Sequence, residues 1–200
     1  MKIITIWCAK GGVGKSCLAK NLAAYLSMFE KSKVLVIDKD SQRSIYANFA
    51  EKPECPFDVV DKIPPSFDGY DYVICDLPPL TENTENPLSV DQIRIIENSD
   101  LIVAPFYPDG ITIQSMLSIY EANTDATIQP VLVRYDVRRK KHKKAVGEIE
   151  GCMVLKDRSG AYDEMEPYQT LFDKMSYSRP LSHARHEFKV LARQLLKEVE

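Results

Sequence analysis

The sequence has no C-x-x-C pair: its five cysteines, Cys8, Cys17, Cys55, Cys75 and Cys152, are odd in number and scattered. That argues against a disulfide framework, a zinc ribbon and most iron–sulfur sites, and it suits a reducing cytosol. No apolar run approaches the roughly 18 residues that span a bilayer. The apolar start Ile3–Trp7 is too short for a signal-peptide core and meets a glycine-rich turn at once. A surplus of positive charge is missing too, since 26 basic side chains face 29 acidic ones for a net charge of −3. This excludes a wholesale polycation that coats nucleic acid, but not a local basic patch. Internal repeats are also lacking. With 200 residues, the chain is long enough to bury a core without a disulfide or metal staple. The expectation is one soluble, intracellular domain over residues 1–200.

What the chain does have is alternation. Runs rich in Ile and Val predict strands at Lys2–Cys8, Lys33–Asp38, Asp71–Asp76, Leu101–Ala104, Ile128–Arg134 and Cys152–Leu155. They are apolar on both faces, as strands inside a parallel sheet are. Helical patterns cover Gly14–Met28, Ser89–Asn98, Ile111–Ala122, Val137–Glu150 and His183–Glu200. Ser89-Val-Asp-Gln92 reads as a capping box. The segment Lys52–Asp68, with four prolines, predicts an irregular excursion, and Thr81–Pro87 a loop. Phe188, Leu191, Leu195 and Val199 form one stripe of the last helix, a core-facing surface rather than a membrane-binding one. Strand and helix alternating in this way predict an α/β fold, a doubly wound, mostly parallel sheet flanked by helices.

The first strand is followed by Ala9-Lys10-Gly11-Gly12-Val13-Gly14-Lys15-Ser16, which opens the first helix. That is the context of a phosphate loop. Glycines let successive N–H groups curl inward around an anion, and the helix N-terminus adds donors and a positive dipole end. Lys15 would neutralise the β- and γ-phosphates, and the Ser16 hydroxyl would ligate magnesium. The candidate nucleotide-binding residues are Gly11, Gly12, Val13, Gly14, Lys15, Ser16 and Cys17. Set against this is a plain glycine turn with two surface lysines. A thiol at Cys17 donates weakly where a hydroxyl is usual.

Two further strands end in carboxylates. Val34–Asp38 is followed by Asp40 and Gln42, and in an extended chain that spacing puts Asp38 and Asp40 on one side. At the carboxyl end of a parallel strand they face the crevice where ligands bind. An ordinary strand-ending turn is the alternative. Tyr72–Asp76 ends in an aspartate followed by Leu77 and two prolines, which cannot continue the sheet.

The run Lys10-Gly-Gly-Val-Gly-Lys15-Ser16 resembles the deviant Walker A motif of the ParA/MinD family of bacterial P-loop ATPases. The chain is most like the family's small ParA-type partition proteins, and the similarity covers nearly its whole length. It includes the D-x-D-x-Q pattern at Asp38, Asp40 and Gln42, the Walker B strand ending at Asp76, Asn21-Leu-Ala, Ser99–Pro105 and Val133–Arg138. The resemblance implies a sandwich homodimer glued by ATP. Lys10, the signature lysine, would reach the neighbouring subunit's phosphates much as an arginine finger does. It further implies that Lys10, Lys15 and Asp40 are catalytic, with Asp40 positioning the attacking water. Ser16, Asp38 and Asp76 would form the magnesium shell, and Thr81–Pro87 would belong to a nucleotide switch. Leu77 departs from the small residue usual after the Walker B aspartate. The implied function is slow, Mg-dependent, partner-stimulated ATP hydrolysis that segregates plasmid or chromosomal DNA, with a ParB-like centromere-binding adaptor. The protein would be cytoplasmic and nucleoid-associated. With the first strand at the start, no helix-turn-helix domain is expected ahead of it.

Between Arg134 and Lys144 lie seven basic residues: Arg134, Arg138, Arg139, Lys140, Lys141, Lys143 and Lys144. They are a solvated helix face or a non-specific contact to the DNA backbone, which needs only clustered cations. His142 among them, and His183 with His186 three residues on, lack a third partner that would make a metal site. Two other functional classes stay open. A MinD-like membrane-associated positioning ATPase predicts an exposed apolar C-terminal helix. A metabolic P-loop ligase of the dethiobiotin-synthetase type predicts a small-molecule pocket.

Overall fold

Successive strand residues point to opposite faces of a sheet, and this chain fills both faces. The computed structural model describes residues 1–8, 10–79, 89–121, 125–173 and 178–199. Its strands are β1 (Lys2–Ile6), β2 (Val34–Asp38), β3 (Asp58–Val60), β4 (Tyr72–Asp76), β5 (Leu101–Phe106), β6 (Thr127–Tyr135) and β7 (Met153–Lys156). They form one sheet in the order β3-β2-β4-β1-β5-β6-β7, with every neighbouring pair parallel. The doubly wound α/β expectation is met. The helices are α1 (Lys15–Met28), α2 (Ser44–Phe49), α3 (Val90–Glu97), α4 (Gly110–Leu117), α5 (Lys140–Glu148), α6 (Ser159–Tyr162) and α7 (Arg179–Lys197). Ile4, Ile6, Val34, Val36, Leu101 and Val103 pack with α1, α2, α6 and α7 on one face. Leu35, Ile37, Val73, Ile102, Ala104 and Phe106 pack with α3, α4 and α5 on the other. The stripe Phe188, Leu191, Leu195 and Val199 is buried in the first of these cores.

Three elements were not expected: β3, α2 and α6. Each is too short to show a period. β3 pairs Asp58 with Leu35 and Val60 with Ile37 at the sheet's edge, inside the proline-rich stretch. The basic helix begins at Lys140 rather than Val137, because the Asp136 carboxylate takes the Arg138 N–H and holds residues 136–139 in a turn. The expected Ile111–Ala122 helix ends as α at Leu117, then tightens to a 3₁₀ turn over Ser118–Glu121. α7 begins before His183, where the Ser178 hydroxyl accepts the Leu181 N–H and Pro180 sits in the first turn. The capping box at Ser89 and Gln92 is present in both directions. The Thr81–Pro87 loop lies outside the described residues. Among the described residues, no helix is long and apolar enough to cross a membrane.

Candidate functional site

The sheet's central strand, β1, delivers the chain into the glycine loop at its carboxyl end. Gly12 and Gly14 have φ of 77° and 94°, a region that side chains avoid. A Cβ added at either would meet nothing within 4 Å, so the space beside these glycines is open. Gly14 is the N-cap of α1 and contributes no side-chain cap to the helix's first-turn amides. Open loop, glycine backbone and uncapped helix start together form an anion cradle. Val13 is buried and pins the loop from beneath, and the Tyr107 hydroxyl donates to the Gly12 carbonyl at 3.3 Å. Asn21 anchors α1: its amide donates to the Cys17 carbonyl, and its oxygen accepts the Leu171 N–H at 2.7 Å.

The two lysines of the loop take different stations. Lys15 is only 5% exposed, with its Nζ 4.0 Å from Asp40 Oδ2. Lys10 stands at the rim, its side chain 42% exposed, and pairs with Asp109 at 3.6 Å. Asp109 also accepts the Thr112 N–H and hydroxyl at the start of α4. The Thr112 amide and hydroxyl bonds, with Lys10 nearby, hold its carboxyl below the usual range against the opposing effect of burial.

Asp38 and Asp76 end adjacent strands in direct register, but their surroundings differ. Asp38 accepts three backbone N–H groups, from Asp40, Ile45 and Tyr46. Burial pushes its carboxyl up, and those amides pull it down. Both Asp76 oxygens are buried with no hydrogen-bond partner. Burial pushes Asp76 up to about 7; the adjacent Ser16 hydroxyl and Lys15 oppose the shift, and Asp38 and Asp40 reinforce it. An unpartnered buried carboxylate beside a hydroxyl fits a divalent cation. Magnesium takes one or two carboxylates plus substrate phosphates rather than an all-protein cage. Among the described residues, no three His, Cys, Asp or Glu side chains converge on a metal position.

This raised carboxyl has a consequence for stability. In the folded chain Asp76 holds its proton up to about pH 7, whereas unfolded it releases it near pH 4. The folded state therefore binds more protons between those values, and this contribution to stability is lost as pH rises through 7. In EDTA, Asp76→Asn is expected to melt progressively higher relative to wild type as pH goes from 5 to 8. Magnesium with nucleotide should narrow that gap by stabilising wild type more than the variant. A pH-independent difference in melting temperature would contradict the assignment.

Base-binding residues are not recognisable in the sequence. Beside the glycine loop lies a cavity of about 190 Å³ walled by Val13, Leu18, Val133, Leu155 and Tyr162, with Cys17, Arg134 and Arg158 also lining it. These residues come from three separate stretches of the chain, 13–18, 133–134 and 155–163, so no local motif announces them. Burial pushes the Cys17 thiol up.

The basic run divides in three. Arg134 has a left-handed φ of 53°, lies over the Tyr107 ring at 5.4 Å and lines the cleft beside the loop. Arg138 and Arg139 both pair with Asp136, and Arg138's hydrogen bonds hold that carboxyl down to about 2. Lys140, Lys141, Lys143 and Lys144 are exposed on α5, where Lys144 also meets Glu148 at 3.7 Å. His142 is buried, and its Nδ1 accepts the Asp136 N–H at 3.0 Å, a bond that holds the turn. His183 and His186 are exposed on α7.

A family model described as an AAA domain matches residues 1–53. No curated protein matches the chain. Many solved structures do. A plasmid partition protein of Borrelia burgdorferi B31 bound to AMPPNP is 21% identical over 96% of this chain and 99% of its own, with a TM-score of 0.69. The MinD cell division protein of Aquifex aeolicus is 16% identical over 98% of each chain, TM-score 0.68. A pNOB8 ParA bound to nonspecific DNA is 17% identical over 99% of this chain and 98% of its own, TM-score 0.61. The chain resembles the ParA/MinD ATPases and has their fold.

Proposed function

We propose, with the fold of the ParA and MinD ATPases as premise, that this protein binds and slowly hydrolyses Mg-ATP, dimerises around it and in that state binds DNA without sequence preference. The observation that carries the reading is the separate placement of the two loop lysines. Lys15 is buried beside Asp40 at the phosphate cradle. Lys10 is held at the rim, where a second subunit's phosphates can meet it. A cation brought in from a neighbour stabilises charge that develops on a transferring phosphoryl group.

In this reading Gly11 to Cys17 supply amides to the phosphates, and Lys15 neutralises them. Ser16 and Asp76 would hold magnesium, which would supply positive charge against the phosphates. Asp40 accepts a hydrogen bond from the attacking water and orients it. The cleft beside Cys17 and Tyr162 takes the base. Cargo segregation would follow from DNA binding that appears with the ATP dimer and vanishes on hydrolysis stimulated by a ParB-like adaptor. Dimerisation doubles the cations presented to one duplex, an avidity gain without a new contact. The likeness to a ParA bound to nonspecific DNA supports this reading. The α7 stripe packs into the core rather than facing solvent, which favours DNA over a membrane partner.

The test is to replace Arg138, Arg139, Lys140 and Lys141 by Ala. Each lost phosphate contact flattens the slope of log affinity against log salt by about 0.9. Because Asp136 already pairs both arginines, a flattening of about 2 per subunit is expected rather than the full four contacts. Dimerisation and nucleotide affinity should be unchanged. An unaltered salt slope would leave the run a solvated surface.

A further inference from the structure

The D-x-D-x-Q spacing sets a carboxylate two residues ahead of an amide twice over. Asp38 Oδ1 accepts the Asp40 N–H at 3.2 Å, and Asp40 Oδ1 accepts the Gln42 N–H at 3.0 Å. These are successive Asx turns, in which a short acidic side chain takes the place of a backbone acceptor. The second Asp38 oxygen accepts the Ile45 and Tyr46 N–H groups, both at 2.9 Å. Those are first-turn donors of α2, whose N-cap residue Arg43 is left-handed and makes no side-chain cap bond. Asp38 therefore caps α2 from outside the helix, and it pins both ends of the loop that carries Asp40.

We infer that Asp38 is a positioning residue for Asp40 rather than a metal ligand. This deepens the proposed ATPase reading and rests on it. The two strand-ending carboxylates divide the labour. Asp38, with both oxygens on amides, builds the loop, while Asp76, its register partner, has no backbone amide on it, lies beside the Ser16 hydroxyl and would take the cation. With one Asp40 oxygen on the Gln42 amide, the other is left 4.0 Å from Lys15 Nζ. It faces the cradle because the loop is fixed on both sides.

The experiment compares Asp38→Asn and Asp76→Asn in the full chain by three readouts. These are kcat at saturating ATP, the magnesium concentration for half-maximal binding of a fluorescent ATP analogue, and hydrogen exchange of the Asp40, Ile45 and Tyr46 amides without nucleotide. For Asp38→Asn we expect kcat to fall about tenfold or more, since misplacing a reacting group by an ångström costs on that scale. Its magnesium half-saturation should stay within about threefold of wild type, while the amides exchange about tenfold faster, the effect of losing one charge-assisted hydrogen bond. Asp76→Asn should do the reverse, raising the magnesium requirement and leaving those amides unchanged. A tenfold higher magnesium requirement in Asp38→Asn with wild-type exchange would make Asp38 a ligand and overturn the inference. So would wild-type kcat in that variant. The exchange arm needs no catalysis, so a wild-type protein that fails to bind ATP would sink the ATPase reading while the Asp38 hub is still tested.

Discussion

Lys15→Ala is expected to weaken ATP binding about 30- to 1,000-fold, the largest effect of any single substitution at the site. Truncating one partner of a buried charge contact costs about 2–4 kcal/mol, and each 1.4 kcal/mol is tenfold in affinity. Lys15 qualifies because it is nearly inaccessible and lies among Asp40 and Asp76. The variant also removes a cation that pulls the Asp76 carboxyl down, so Asp76 should hold its proton to still higher pH. The measurement is titration with a fluorescent ATP analogue, with circular dichroism to show that the fold persists. Affinity within threefold of wild type in a folded variant would refute the phosphate-loop assignment.

Asp40→Ala should give the second large effect, and of a different kind. Asp40 lies at the cradle but is not a buried anchor; its side chain is 15% exposed and meets Lys15 only at 4.0 Å. Its loss should leave nucleotide affinity within about threefold while lowering turnover about a hundredfold or more, the contribution typical of a positioned acid–base group. The variant should then accumulate as an ATP-bound dimer, read by size-exclusion chromatography with light scattering. Wild-type turnover would remove Asp40 from the mechanism.

How much of this was legible in the sequence depended on distance along the chain. The glycine loop, Lys15, Ser16 and the strand-ending aspartates were readable because their chemistry is written in contiguous residues flanked by a strand and a helix. The parallel sheet was readable from Ile- and Val-rich runs, and the α3 cap from Ser89 and Gln92. β3, α2 and α6 were not, since three to six residues carry no period and their existence rests on tertiary pairing. The cleft beside Tyr162 was invisible because β6, β7, α1 and α6 meet there only after the sheet is assembled. The two aspartates of D-x-D-x-Q look equivalent on paper. Only the position of α2 reveals that Asp38 faces amides and Asp40 faces Lys15. Likewise seven cations in eleven residues read as one patch. Asp136 and the left-handed turn at Arg134 separate them into a paired turn, a cleft residue and an exposed helix face.

The central claim is that nucleotide state governs DNA binding through the dimer that Lys10 helps to close. It is tested most directly by binding to random-sequence duplex DNA with ATP, with ADP and without nucleotide, at two salt concentrations, for wild type and Lys10→Ala. The account predicts binding only with ATP, weakening steeply with salt and lost in the variant, whose ATP affinity as a monomer is retained. Binding of equal strength in all three nucleotide states, or full binding by Lys10→Ala, would contradict it.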